Sequence, residues 1–375
     1  MTAARTAGVT FTKNATTPTA NLCEGLVQDK GSYPQTTLAK PALLQAYVDP
    51  AFGTAIRRIT DVGTQFSATV AKPAYATVPA WNADESLLIL YITQGSNTGH
   101  HLFNGKTYEH IMRLPNFSPA DIEHFYWSAS DPDLVYYPSG SALVQYRVST
   151  GERTTLHTAS SSISFSGDPM YASWDNRVFG LTMGSTGYVL TLPSTMSPQI
   201  ANSRPRVGPS GTRAVMGNQV YDVATWTPVQ TMQLSLGEHA ALTRNAAGED
   251  LWAAVQFDGT VGTLITENLQ TGEVRSIIGT ANGWRYPGTD THVSGHAFQR
   301  PGWVAVSSVG WGEVLLANVD NGTVCRVGHH RSPSAEYWAE PHVNISPTGT
   351  RIMFGSDWGG GNVDTYVIEL PAYTP

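Results

Sequence analysis

One short phrase recurs along the chain: an apolar strand, a polar turn of the N-A-D-E or P-T-G-T kind, and a second apolar strand. Copies begin at Thr77 (TVPAWNADESLLILY), His124 (HFYWSASDPDLVYY), Met170 (MYASWDNRVFGLT), Arg206 (RVGPSGTRAVMG), Ala240 (AALTRNAAGEDLWAAV), His296 (HAFQRPGWVAVSS) and His342 (HVNISPTGTRIMFGSD). Each is followed by a third strand and usually by a turn and a fourth, as in VSTGERTTL, LQTGEVRSI and VDNGTVCRV. A four-stranded unit repeated every ~35 to 55 residues cannot bury its faces alone and must stack on copies of itself, which is the pattern of a propeller. The expected fold is all-β: a single seven-bladed β-propeller over residues 51–375, with residues 1–50 as an N-terminal arm wrapping the ring. AIRRITDV, Ala55 to Val62, precedes the first copy and is expected to pair in the last blade. N- and C-terminal segments would then share the closing blade and leave no open sheet edge.

Composition agrees with many short strands and tight turns. Hydrophobic residues make up 41% of the 375 and charged residues only 14%, with Gly 36, Pro 23, Tyr 16 and Trp 10, which argues against disorder or a coiled coil. A net charge of −7 with 22 scattered Lys+Arg offers no basic stripe for nucleic acid. No apolar run reaches the ~20 residues that span a bilayer. The opening MTAARTAGVTFTKNATTPTA has neither a basic n-region nor an apolar h-region. A polar, Thr-rich start behind an added Met1 is what a mature secreted or periplasmic chain looks like, and a cytosolic chain with a loose N-terminus looks the same; secretion, with a monomeric state, is expected. Cys23 and Cys325 are the two cysteines, outside any CxxC or Cys/His zinc spacing; they form either one staple from the arm to a late blade or two buried thiols. GxGxxG after a strand, GxxxxGK[ST], HExxH and a GxSxG elbow are all missing, so no organic cofactor and no Ser-hydrolase chemistry is expected.

The first strand of each repeat starts near the channel mouth, so residues there point to a shared axis. His124, His239, His296 and His342 stand at or near that position in four copies, with Arg206 at the comparable point of another. A single histidine there can merely cap a strand; four converging imidazoles suit metal ligation or proton transfer near neutrality. Glu340 and His342 lie at i, i+2, on one face of an extended segment, so both can meet one cation or one substrate group. Mixed nitrogen and oxygen ligands suit a divalent cation such as Mn, Ca or Zn. Trp127, Trp284, Tyr286, Trp311, Tyr337, Trp338 and Trp358 fall in or beside the loops of this end and offer flat faces to sugar rings. Trp81, Trp174, Trp252 and Trp303 lie inside the repeated strands and are expected to pack blades. His100 is a further candidate substrate contact beside His101; His101, His110 and His157 read as ordinary positions, and His329-His330 as surface.

SGHAFQRPGWVAVSS and EPHVNISPTGTRIMFGSDWGG make the last quarter resemble the oligogalacturonate-lyase family of seven-bladed propellers and, more loosely, propeller-type ulvan lyases. By that resemblance His296 and His342 match metal-binding histidines and His239 a further His-bearing strand start; Glu340 stands where the family has another histidine, and Tyr337 is the nearest residue to a family glutamine. The resemblance implies β-elimination of a uronate-containing polysaccharide or oligosaccharide. Such a reaction needs a cation to neutralise the carboxylate, a base for the α-proton and an acid for the leaving oxygen. Arg206, Arg285 or Arg300, or a metal on His296 and His342, would supply the first, His124 or His239 the second, and Tyr337 or Tyr286 the third. Arg285, Arg300, Trp311, Trp338, Trp127 and His100 would bind the glycan. A propeller glycoside hydrolase, using carboxylates among Glu340, Asp357, Asp290 and Glu238, and a non-catalytic sugar- or protein-binding propeller are the competing classes.

Overall fold

The polar turns of the repeat are closed by their own side chains. Asn82 accepts the N–H of Leu87 on its side-chain oxygen at 3.0 Å and donates to the Pro132 carbonyl of the next repeat at 2.8 Å. Ser173 does the same for Val178 at 3.0 Å, and Ser346 for Arg351 at 3.3 Å. Gly211 and Gly349 turn these corners with φ of 72°, which a side chain would strain. Each turn thus fixes the register of the two strands beside it.

The computed structural model describes residues 21–164, 169–237, 239–256, 263–284, 291–308, 310–333 and 336–374. They form seven sheets, one per blade, antiparallel throughout and with the first strand innermost. Blade 1 comprises Val70–Lys72, Leu87–Thr93, Gly99–Asn104 and His110–Arg113. Blade 2 comprises Tyr126–Trp127, Leu134–Ser139, Ala142–Arg147 and Glu152–Thr158. Blade 3 is built on Val178–Met183 and Thr186–Thr191, blade 4 on Arg206–Val207, Arg213–Met216, Gln219–Asp222 and Pro228–Thr231. Blade 5 comprises His239–Arg244, Asp250–Gln256, Thr263–Asn268 and Val274–Ile278, and blade 6 His292–Ser294, Trp303–Ser308, Glu313–Asn318 and Val324–His329.

Blade 7 closes the ring as expected. Asn344–Ile345, Arg351–Ser356 and Asp364–Glu369 are joined by Ala55–Arg58, and Ala46–Val48 adds a fifth, outermost strand. In blade 1 the structure departs from the sequence reading. The innermost strand is Val70–Lys72, ahead of the copy placed at Thr77, and Pro73 to Ala80 form an excursion before Trp81 bridges Leu88. Asn344 pins this excursion by accepting the Ala80 N–H at 3.0 Å and donating to the Tyr75 carbonyl at 3.2 Å.

The core lies between neighbouring blades, where alternate apolar side chains interlock. Trp81, Trp252 and Trp303 are buried in these layers as expected. Among the described residues no helix is long and apolar enough to cross a membrane.

The arm lies along blades 6 and 7. Cys23 and Cys325 are disulfide-bonded across 302 residues. Beyond that bond Arg326 donates to the Asp29 carbonyl at 3.2 Å, His329 to the Tyr33 carbonyl at 2.8 Å, and the Trp358 indole to the Leu38 carbonyl at 2.9 Å. His329 and His330, expected at the surface, are buried beneath this covering, His329 paired with Asp49 at 3.1 Å. Because the bond closes so long a loop, replacing both cysteines with serine is expected to cost roughly 3–5 kcal/mol. Denaturant unfolding of the two proteins measures it, and equal midpoints would mean that the arm holds without the bond.

Candidate functional site

Three histidines meet at one end of the channel. His239 opens the inner strand of blade 5, His292 that of blade 6, and His342 stands two residues before that of blade 7. The rings of His239 and His292 stack at 4.3 Å, and those of His292 and His342 meet edge to face at 4.6 Å. Glu340 turns one carboxylate oxygen to both: 3.2 Å to Nε2 of His342 and 3.6 Å to Nε2 of His292. Tyr75, from the pinned excursion of blade 1, sets its ring edge-on to both histidines at 5.2 and 4.7 Å. The His342 backbone is held at φ 42°, a left-handed conformation that costs a non-glycine residue energy and here turns the ring into the cluster.

A buried ammonium underlies this group. Lys72 donates to the carbonyls of Tyr337 and Glu340 at 2.9 and 2.8 Å and lies 5.3 Å from the centre of the Tyr337 ring. Burial pushes its pKa down to about 7, with Glu340 and Glu123 opposing the shift. Burial, then the charge of Lys72, holds His342 well below the ordinary imidazole range, so it stays neutral and able to ligate. Tyr337 hydrogen-bonds through its hydroxyl to Glu123; burial and then that carboxylate's charge raise its pKa far above the ordinary phenol value. Glu123 stands in the blade 1 to blade 2 connection and Tyr337 in the blade 6 to blade 7 connection, so their bond reaches over the start of blade 1.

The ligand atoms of His292, Glu340 and His342 all lie within 4.8 Å of one another, and the three residues are buried. Two imidazoles and a carboxylate at this spacing fit a divalent metal.

Of the residues singled out in the sequence, the structure brings together His239, Glu340, His342 and Tyr337, and it adds His292, Lys72, Tyr75 and Glu123. His296 is not in the metal-ligand group. Four residues along from His292, it lies deeper in the channel, its ring 5.6 Å from Tyr126 of blade 2 and 5.8 Å from Phe298, and His292 takes its expected place. His124 is buried two residues before the inner strand of blade 2, next to Glu123. Arg206 donates to the carbonyls of Arg204 and Leu236 at 3.3 and 3.2 Å and covers Trp252; it lines a separate cavity of about 500 Å3 on blades 3 and 4. Arg300 lies in the turn after the inner strand of blade 6, beside Gly349 in the corresponding turn of blade 7, at the opposite end of the channel. Trp338 stacks on Tyr91 at 6.3 Å beside the site. Trp127 is a packing residue, fully buried with its indole donating to the Ala80 carbonyl at 3.0 Å. His100 is likewise enclosed, by Tyr91, Phe117 and Phe125, and bonded to the Ile122 carbonyl at 3.2 Å. Trp311 sits at the rim of blade 6 against Arg326. Arg285 and Tyr286, with Asp290 and Glu238, lie outside the described residues. Asp357 accepts from Ser332 at 3.2 Å and from the Gly359 N–H at 3.1 Å.

No protein-family model matches the sequence, and no curated protein does. Solved structures do. An oligogalacturonate lyase in complex with manganese superimposes with a TM-score of 0.64 at 14% identity, over 90% of this chain and 99% of that one. The propeller fold is shared with oligogalacturonate lyases. A second such lyase, from Vibrio parahaemolyticus, gives 0.64 at 12% identity over 88% and 97% of the two chains. Hydrazine synthase from Kuenenia stuttgartiensis gives 0.52 at 13% over 80% and 97%, so ring-shaped neighbours extend to other chemistry, and at these identities the likeness is one of fold.

Proposed function

We propose that this chain is a lyase that cleaves uronate-containing glycans by β-elimination at the His239, His292 and His342 cluster. The observation that carries the reading is the state of His239. Its Nδ1–H donates to the Thr291 carbonyl at 2.8 Å, which fixes the ring and its tautomer so that Nε2 is the nitrogen suited to take a proton at the channel end. The base takes the proton α to the uronate carboxylate, the C–O bond at the β-carbon breaks, and a ring double bond forms while the departing oxygen takes up a proton. Tyr337, whose hydroxyl bonds to Glu123 at this end of the channel, is the candidate donor of that proton. Lys72 acts from below by holding the carbonyls of Tyr337 and Glu340, which sets the position of both side chains.

His292, Glu340 and His342 would hold a divalent cation such as Mn, Zn or Ca, and such an ion neutralises a carboxylate and so acidifies the neighbouring proton. A hydrolase using Glu340 and Glu123, both of which act on Lys72, is the second reading.

Incubation with pectate, ulvan, glucuronan, alginate and rhamnose-capped glucuronate glycans tests the proposal. A rise in ultraviolet absorbance from an unsaturated uronate is expected on one of them, and it should fall after chelation and recover with the added metal. Reducing ends without that absorbance would establish the hydrolase, and no product on any glycan would overturn both.

A further inference from the structure

A second polar cavity lies on the same end of the molecule, outboard of the histidines. His292 pairs with Ser307, Ser308 with Glu313, and Glu313 with His329, so Glu313 stands two strand spacings out from His292, about 10 Å. The N-terminal arm passes over this point. Between the arm and blade 6 is a cavity of about 260 Å3, walled by Tyr33 and Pro34 of the arm and by Trp311, Glu313 and Arg326 of the blade. Its size approaches the ~300 Å3 at which small-ligand pockets begin and is many times the ~30 Å3 of one water.

The walls are held rigidly. Arg326 is buried and ion-paired with Glu313, and its guanidinium stands 5.0 Å from the Tyr33 ring and 5.3 Å from both Trp284 and Trp311. The disulfide joins the residue before Arg326 to the start of the arm, so the Tyr33 wall is tied to the blade that carries Trp311. Trp311 is partly exposed there. A partly exposed aromatic face at the rim of a cavity backed by a buried carboxylate and guanidinium is a surface on which the C–H face of a pyranose ring can lie.

We propose that the cavity between the arm and blade 6 is a distal subsite that binds a glycosyl unit of the same glycan, outboard of the one being cleaved. This deepens the reading of the histidine cluster and rests on it for the identity of the glycan. The subsite makes longer chains better ligands than short ones without touching the chemistry.

The test titrates the full chain, by tryptophan fluorescence and by initial rate, with the disaccharide and hexasaccharide of pectate, glucuronan, ulvan and alginate. For one of these the hexasaccharide is expected to bind about tenfold more tightly than the disaccharide. Tyr33→Ala, altered on the arm alone, should erase the difference while leaving kcat and the disaccharide KM unchanged, and Trp311→Ala should erase the difference as well. Turnover with no length preference, or a preference that survives both variants, overturns the subsite and leaves the lyase reading standing. Length-dependent binding lost in both variants, with no turnover of any glycan, supports the subsite and removes the lyase reading. Neither binding nor turnover on any of the four overturns the subsite and counts against the lyase.

Discussion

Replacing His239 with alanine is expected to lower kcat on the acidic glycan by about a thousandfold, within the ~10²–10⁴ that a positioned general base contributes, with little change in folding. The imidazole is only half-buried, and its loss leaves the ring of His292 to be supported by Tyr75 and His342. KM should move little, because the lost proton transfer belongs to the transition state. Initial rates followed by ultraviolet absorbance check it. Wild-type turnover in this variant would place the base elsewhere, with His124 the next residue to replace.

Acid is expected to unfold the protein between about pH 6.5 and 4, before most carboxylates titrate. Burial pushes His100 and His330 down to about 4 and His296 down to about 3. His330 shows why: Nε2–H donates to the Ser308 carbonyl at 3.1 Å while Nδ1 accepts the Ser332 N–H at 3.1 Å, so a second ring proton would displace that bond. With the folded values below the ordinary ~6.5, the unfolded chain binds more protons across this window. The stabilisation is therefore complete above pH 6.5 and drains away as pH falls towards the folded values. Three such rings amount to something on the order of 10 kcal/mol, comparable with the whole stability of a domain. Thermal midpoints across this range measure it. His100→Phe, which puts a non-titrating ring among Phe117, Phe125 and Tyr91, should move the acid transition to lower pH, and a midpoint flat to pH 4 would mean that these rings charge without cost.

The ring was legible because its signal is repeated: each turn carries a side chain that closes it, and each strand alternates. The site was legible only where a residue stood in a copy whose start had been placed correctly. His239, Glu340 and His342 did. His292 and His296 share the parity that faces the channel, and four extended residues separate them by about 13 Å; only the strand's true start says which lies at the mouth. Lys72 carries no repeat signal because blade 1 interrupts its inner strand with the excursion from Pro73 to Ala80, and the repeated phrase itself begins at Thr77. Glu123 gave no pattern at all, since its partner Tyr337 is 214 residues away. Trp127 misled for the opposite reason: an aromatic at the start of a strand can face the neighbouring blade as easily as the channel.

The chain's two ends are woven into one sheet, Ala55–Arg58 against Asp364–Glu369, and the site draws on residues from Lys72 to His342. No contiguous stretch shorter than most of the polypeptide holds it. During synthesis His239 of blade 5 emerges well before Glu340 and His342, and these settle only when the final strands find their seat beside the much earlier Ala55–Arg58. Such distant pairing is slow to form, and turnover becomes a gauge of it: a protein caught with its ring ajar would keep most of its strands and have no chemistry, so the recovery of activity after refolding times the shutting of the circle.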